Sequence, residues 1–143
     1  MINREDVPLR SNHNDILLAK IYHYEEPISP INQYKARAIR VRGRWLGTIF
    51  MPSKFTKYQE RFKKNAKTQL PPKLIPYDGD IRAEADFFFG TRRKKDLPNG
   101  GKLELDALNK LVYIDDSQIK EFYTRSFYDK ASPGIVIRIY KII

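Results

Sequence analysis

Two periods of hydrophobic and polar positions run through the chain. From Ile81 to Phe89 the period is two: Ile81, Ala83, Ala85, Phe87 and Phe89 on one side, Arg82, Glu84, Asp86 and Phe88 on the other, which predicts a β-strand. Gly134 to Ile142 repeats it, with Ile135, Ile137 and Ile139 against Val136, Arg138 and Tyr140. Ile119 to Tyr128 and the apolar, aromatic run Ile16 to Tyr24 read as two further strands. Ala36 to Arg42 and Arg44 to Met51 flank Gly43 and predict a hairpin with a basic face. At Ser53, a good N-cap, the period changes to that of a helix running to about Lys67. Phe55, Tyr58, Phe62 and Ala66 recur at i, i+3, i+7 and i+11 and form its buried stripe. A second helix is expected from about Gly100 to Val112, capped by Asn99. Leu103, Leu105, Ala107, Leu108, Leu111 and Val112 share one arc of it, and Lys102, Asp106, Asn109 and Lys110 the other. Glu104 sits inside the apolar arc, which suggests a basic partner at a subunit interface. The segments at 27–34 and 71–80 are rich in proline and polar residues and read as loops. These elements predict an α+β fold: one domain over residues 15–143, a mixed, mostly antiparallel sheet with two principal helices on it, behind a flexible lead-in over residues 1–14.

Composition narrows what such a domain can do. At 143 residues the chain is long enough for one hydrophobic core. It has no cysteine, so disulfides, thiolate nucleophiles and zinc–thiolate sites are excluded, and a reducing cytoplasm fits. No apolar run is long enough to span a bilayer, and the polar start Met1-Ile2-Asn3-Arg4-Glu5-Asp6 is not a signal peptide. His13 and His23 form no metal-ligand pattern and read as structural.

Charge changes the picture most. Between Lys35 and Lys67 stand eleven basic residues and one acid, Glu60, so this segment carries the whole formal net charge of +10. Arg37, Arg40, Arg42 and Arg44 lie on the expected hairpin, and Lys54, Lys57, Arg61 and Lys64 on the first helix. Arg92, Arg93, Lys94 and Lys95 follow in the loop after Phe89. One such cluster could be a solubilising face or lie on anionic lipid; together they favour a phosphate backbone.

The candidate chemistry lies just beyond that loop. Asp96 before the second expected helix and Asp115 and Asp116 after it bracket it, and Asp106 lies on the helix one turn after Lys102 and on the same face. Clustered carboxylates repel one another unless a cation sits among them, and an all-oxygen set suits magnesium or manganese. A nearby lysine can neutralise a phosphoryl or leaving oxygen. The plainer alternative is a solvated helix flanked by acidic loops.

The wording of this stretch is specific. Asp96-x-x-Asn99-x-x-Lys102-x-x-x-Asp106-Ala107-Leu108-Asn109, followed by Asp115-Asp116-Ser117-Gln118-Ile119, resembles the core of the RusA-type Holliday junction resolvases. The resemblance implies that Asp96 and Asp116 bind catalytic magnesium and that Lys102 assists at the phosphate, with Asp115 and Asp106 as further ligands or orienters. It implies a homodimer, because a four-way junction has two equivalent strands to cut, and a role in recombination of the kind found in phages and prophages. One departure stands out. The family reads Asp-x-Asp-Asn, whereas this chain reads Asp96-Leu97-Pro98-Asn99, so Pro98 stands where a second metal-binding aspartate is expected. Two other functions stay open: a flap or single-strand nuclease with the same site, and a DNA-binding protein without cleavage.

Overall fold

The computed structural model describes residues 16–28, 35–50, 53–92 and 100–142. Six strands and two α-helices form in the order β1 (Ile16–His23), β2 (Lys35–Val41), β3 (Arg44–Phe50), α1 (Ser53–Gln69), β4 (Ile81–Phe89), α2 (Lys102–Ala107), β5 (Ile119–Tyr128) and β6 (Gly134–Lys141). Four strands make one mixed sheet in the order β1-β6-β4-β5. β6 runs antiparallel to both β1 and β4, and β5 runs parallel to β4. β5 and β6 are consecutive in sequence but not neighbours, since β4 lies on the far side of β6 from β1 and separates it from β5. The expected hairpin forms, with β2 paired to β3, but as a two-stranded sheet of its own.

The inner face of the large sheet carries the core. Ile81, Ala83, Ala85, Phe87 and Phe89 of β4 and Ile135, Ile137 and Ile139 of β6 pack with Phe62 and Ala66 of α1 and with Leu105 and Ala107 of α2. The stripe read from the sequence, Phe55, Tyr58, Phe62 and Ala66, is the buried face of α1. Lys54, Lys57, Arg61, Lys63, Lys64 and Lys67 cover its exposed side. Helix side chains also close the edge at β1: Gln69 Oε1 accepts from the Tyr22 amide at 2.9 Å, while Gln69 Nε2 and Asn65 Nδ2 donate to the Tyr22 carbonyl. These bonds occupy the backbone of Tyr22, so at that position the edge is closed to another strand. His23 is structural as expected. It is buried, with its ring edge-on to Tyr58 and Phe62, and burial holds its pKa below the usual value.

The outer face is less ordinary. Its alternating polar residues on β4 read like a solvent side, yet Arg82, Glu84 and Asp86 are all buried. Asp86 accepts a bidentate pair from Arg125 of β5, at 2.7 and 2.9 Å, and a third bond from Arg138 of β6 at 2.9 Å. The Arg82 guanidinium lies over the Tyr140 ring, and Phe88 stacks on Phe127. The register sets these contacts, because Asp86 faces Arg125 across one ladder, while Glu84 faces Arg138 and Arg82 faces Tyr140 across the other.

The second helix is shorter than the pattern predicts. It ends at Ala107, and residues 108–113 turn back on themselves. Lys110 takes φ 65°, outside the helical region, and its amide donates to the Tyr113 carbonyl. Leu108, Val112 and Tyr113 are still buried, so their apolar spacing records a packed turn and not a continuation of the helix.

Glu104 also departs from expectation. It does not wait for a basic partner at an interface: it is buried inside the chain, where Tyr58 Oη donates to its Oε1 at 2.8 Å. Burial pushes its carboxyl up to about 7, against an ordinary 4.5, with the Tyr58 hydrogen bond opposing. The folded chain therefore holds this proton more tightly than the unfolded chain, and stability falls as pH rises through that window. Glu104→Gln keeps an acceptor for Tyr58. It should raise the thermal midpoint at pH 8 by roughly 5 °C or more and change it little at pH 4. Equal midpoint shifts at both pH values would refute this account.

Candidate active site

The connection from β4 to β5 builds the site. It crosses over the inner face of the sheet, as a link between parallel strands must. α2 starts at Gly101, whose φ of 92° is one that glycine adopts without strain. A side chain there would also collide with the Phe122 ring, 2.8 Å from an ideal Cβ. From this tight entry Leu103, Leu105 and Ala107 are buried, while Lys102 stays exposed and Asp106 half-buried one turn later. Lys102 lies near enough to favour the charged form of Asp106.

A second loop is pinned opposite. Gln118 holds it with four hydrogen bonds: Nε2 donates to the Tyr77 and Gly79 carbonyls, both at 2.8 Å, and Oε1 accepts from the Ile114 and Asp115 amides at 2.9 and 2.8 Å. Asp115 caps the short 3-10 turn Asp116–Gln118 by accepting from the Ser117 amide. Interaction with the Ser117 side chain first, and then with its backbone amide, keeps the Asp115 carboxyl below the usual range. In the Asp115-Asp116-Ser117-Gln118 sequence, then, the first and last residues build the turn and Asp116 projects from it.

Asp116 meets Asp106. Their carboxyl groups lie close enough to interact, and the pKa of Asp106 is pushed up to about 6, first by burial and then by Asp116. Beneath them Tyr113 is buried and donates its hydroxyl proton to the Leu105 carbonyl; burial and the three carboxylates keep it protonated. Asn109, of the same motif, keeps its Oδ1 buried and without a hydrogen-bond partner among the described residues. Two carboxylates side by side, open to solvent on one side and flanked by an ammonium, are a donor set that fits a hard divalent cation. Among the described residues no third acidic or histidine side chain joins them closely enough to complete a metal cluster.

The other residues singled out in the sequence fall as follows. Asp96, Pro98, Asn99, Arg93, Lys94 and Lys95 lie outside the described residues. Arg92 is exposed, with its guanidinium 4.4 Å from the Tyr128 ring centroid. Lys54, Lys57 and Lys64 are exposed on α1, and Arg40, Arg42 and Arg44 on the hairpin; Arg37 lies on β2. Arg61 is the exception among the basic candidates. Its guanidinium makes a bidentate pair with Glu25, at 2.8 and 2.7 Å, so much of its charge is already answered within the chain. Gln118 was not recognised as a site-building residue; its signal was its place two residues after Asp116, which only the loop geometry explains.

Among the described residues no helix is long and apolar enough to cross a membrane. No curated protein matches the sequence. A family model does: endodeoxyribonuclease RusA, over residues 27–140, a span that holds the whole crossover and both basic elements. The chain belongs to the RusA endodeoxyribonuclease family.

Proposed function

We propose that this protein is a magnesium-dependent endonuclease that cuts branched DNA, with the four-way Holliday junction as its preferred substrate, and that it works as a homodimer with one site per arm pair. The observation that carries this reading is the Asp106–Asp116 carboxylate pair beside Lys102, in a family of endodeoxyribonucleases. Asp116 and Asp106, with Asp96 from the sequence before α2, would hold the ion. Magnesium or manganese bound there supplies an activated water and offsets charge at the scissile phosphate.

The chain's own residues do the rest. Lys102 is exposed beside the pair, where its ammonium can neutralise a phosphoryl or leaving oxygen. The Gln118 clip and the Gly101 entry fix the two loops, so both carboxylates are in place before substrate arrives. Tyr113 and the buried leucines beneath them keep water from the protein side of the pair. The basic face of α1 and the hairpin grip phosphates without reading bases, which makes binding shape-led and sensitive to salt.

The test is cleavage of a labelled four-way junction by the full chain, with a flap and a linear duplex of the same sequence as controls. Paired nicks in the junction, only with magnesium or manganese, are the expected result. Preference for the flap would establish the nuclease with another specificity. Binding without cleavage of any substrate in either metal would leave a DNA-binding protein whose site is lost at Pro98.

A further inference from the structure

We infer that the hairpin β2–β3 carries a stacking site for an unpaired nucleobase, with the indole of Trp45 as its platform. The partner follows from the proposed function, but the site is separate from the carboxylates and narrows the substrate to DNA with unstacked bases. Every residue from Arg40 to Gly47 is exposed, and Trp45 keeps 69% of its surface in water. A tryptophan in that position buries little, so core packing does not account for it.

Its surroundings fit a flat ligand. Trp45 pairs with Arg40 across the ladder, and the guanidinium lies 6.0 Å from the ring centroid. The next pair on that face is Ala38 with Gly47, the two smallest residues available. A Cβ built on Gly47 meets no atom within 4 Å, so neither crowding nor a positive φ requires a glycine there. Glycine weakens a strand interior, and it commonly marks close approach of a ligand. Here it leaves an open strip beside the indole with room for a base.

The charge selects the partner. Residues 35–50 hold five basic side chains and no acid. Arg42 and Gly43 form the two-residue turn, with φ of 50° and 78°. Asparagine or glycine would take the first turn position with less strain than arginine, so the Arg42 side chain is what the position keeps. An aromatic platform with Arg40 beside it, on a hairpin that carries only basic charge, matches a nucleobase with its phosphates. A second copy of this chain would bring five like charges against five, which argues against self-association on this face.

Trp45 is the sole tryptophan, so its fluorescence reports the site directly. The full chain is titrated without divalent metal against a four-way junction, a thymidine single strand and a linear duplex. Junction and single strand should quench Trp45 emission strongly, and the duplex only weakly. Trp45→Ala should bind the junction and the single strand about 5- to 100-fold more weakly, with duplex affinity within about twofold of the parent. Trp45→Phe should recover much of the loss. Gly47→Val fills the strip with a good strand former, so a similar loss from this variant cannot be ascribed to unfolding. Unchanged emission at saturating junction, or equal losses on duplex and single strand, would overturn the inference. So would emission that changes with protein concentration in the absence of DNA, which would mean that a second copy covers the face. The single-strand arm keeps the test independent of cleavage. A protein that cuts junctions with Trp45 unperturbed loses this inference alone, and one that cuts nothing but is quenched by single strands keeps it.

Discussion

Asp116→Asn lowers magnesium-dependent cleavage of a four-way junction by about 100-fold or more while binding of the same junction is kept. This is the expected result because Asp116 is the one side chain that the capped turn projects toward Asp106. An amide of the same shape fits the turn, so folding is spared, but it is a poor ligand for a hard cation. One negative charge near the phosphates is also removed, so binding without metal stays equal or tightens. Asp106→Asn should cost nearly as much. Asp116 stands close enough to raise the pKa of Asp106, and two carboxylates that close are placed to share one ion. Pro98→Asp supplies the aspartate that the family has at that position, yet it should not by itself raise activity, since in this reading Asp106 already takes that aspartate's part beside Asp116. The rates of the three variants, with junction affinity measured beside them, decide the matter. Near-normal cleavage by Asp116→Asn would remove this residue from the site. Near-normal cleavage by Asp106→Asn with a several-fold gain from Pro98→Asp would mean a weakened family site instead of a rearranged one.

The largest loss of stability is expected at the far face of the sheet. Asp86→Ala removes the carboxylate shared by Arg125 and Arg138, of which Arg138 is 2% exposed. Breaking a buried pair from one side costs about 3–5 kcal/mol, because the remaining charge stays in a poor solvent. That is a large part of the stability of an ordinary domain. Denaturant unfolding of the variant measures it. Asp86→Leu combined with Arg138→Met should recover most of the loss, since no buried charge is then left over between these two positions. A loss below about 1 kcal/mol for Asp86→Ala would show that the arginines are held mainly by other groups.

How far the sequence could be read depended on the range of the interactions. The strand pattern of β4 and the stripe of α1 are local, and both appear in the structure where the periodicity puts them. The meaning of Arg82, Glu84 and Asp86 was not legible. Their partners Arg125, Arg138 and Tyr140 come from other strands, and only the ladder register brings them together. The end of α2 was misread because apolar spacing is the same in a packed turn; the bridge between Tyr77 and Tyr113 that holds this turn is again a distant pairing. Glu104 looked like an interface residue because Tyr58, its partner, lies on another helix. At the candidate site the residue types were legible and one pairing was not: Asp115, adjacent to Asp116, serves the cap, and Asp106 is the carboxyl that meets Asp116.

The parallel pairing of β4 with β5 has a consequence for how the molecule comes to exist. Antiparallel neighbours such as β2 and β3 can zip from their turn, but β5 cannot join β4 until the connection that carries α2 has been laid across the sheet. Closing that long segment is an entropic cost that no local contact offsets, which places it among the slow events of folding. The carboxylates Asp106 and Asp116 ride on this segment, so the candidate site is complete only once β5 has docked beside β4, and its assembly is tied to the slowest pairing in the sheet.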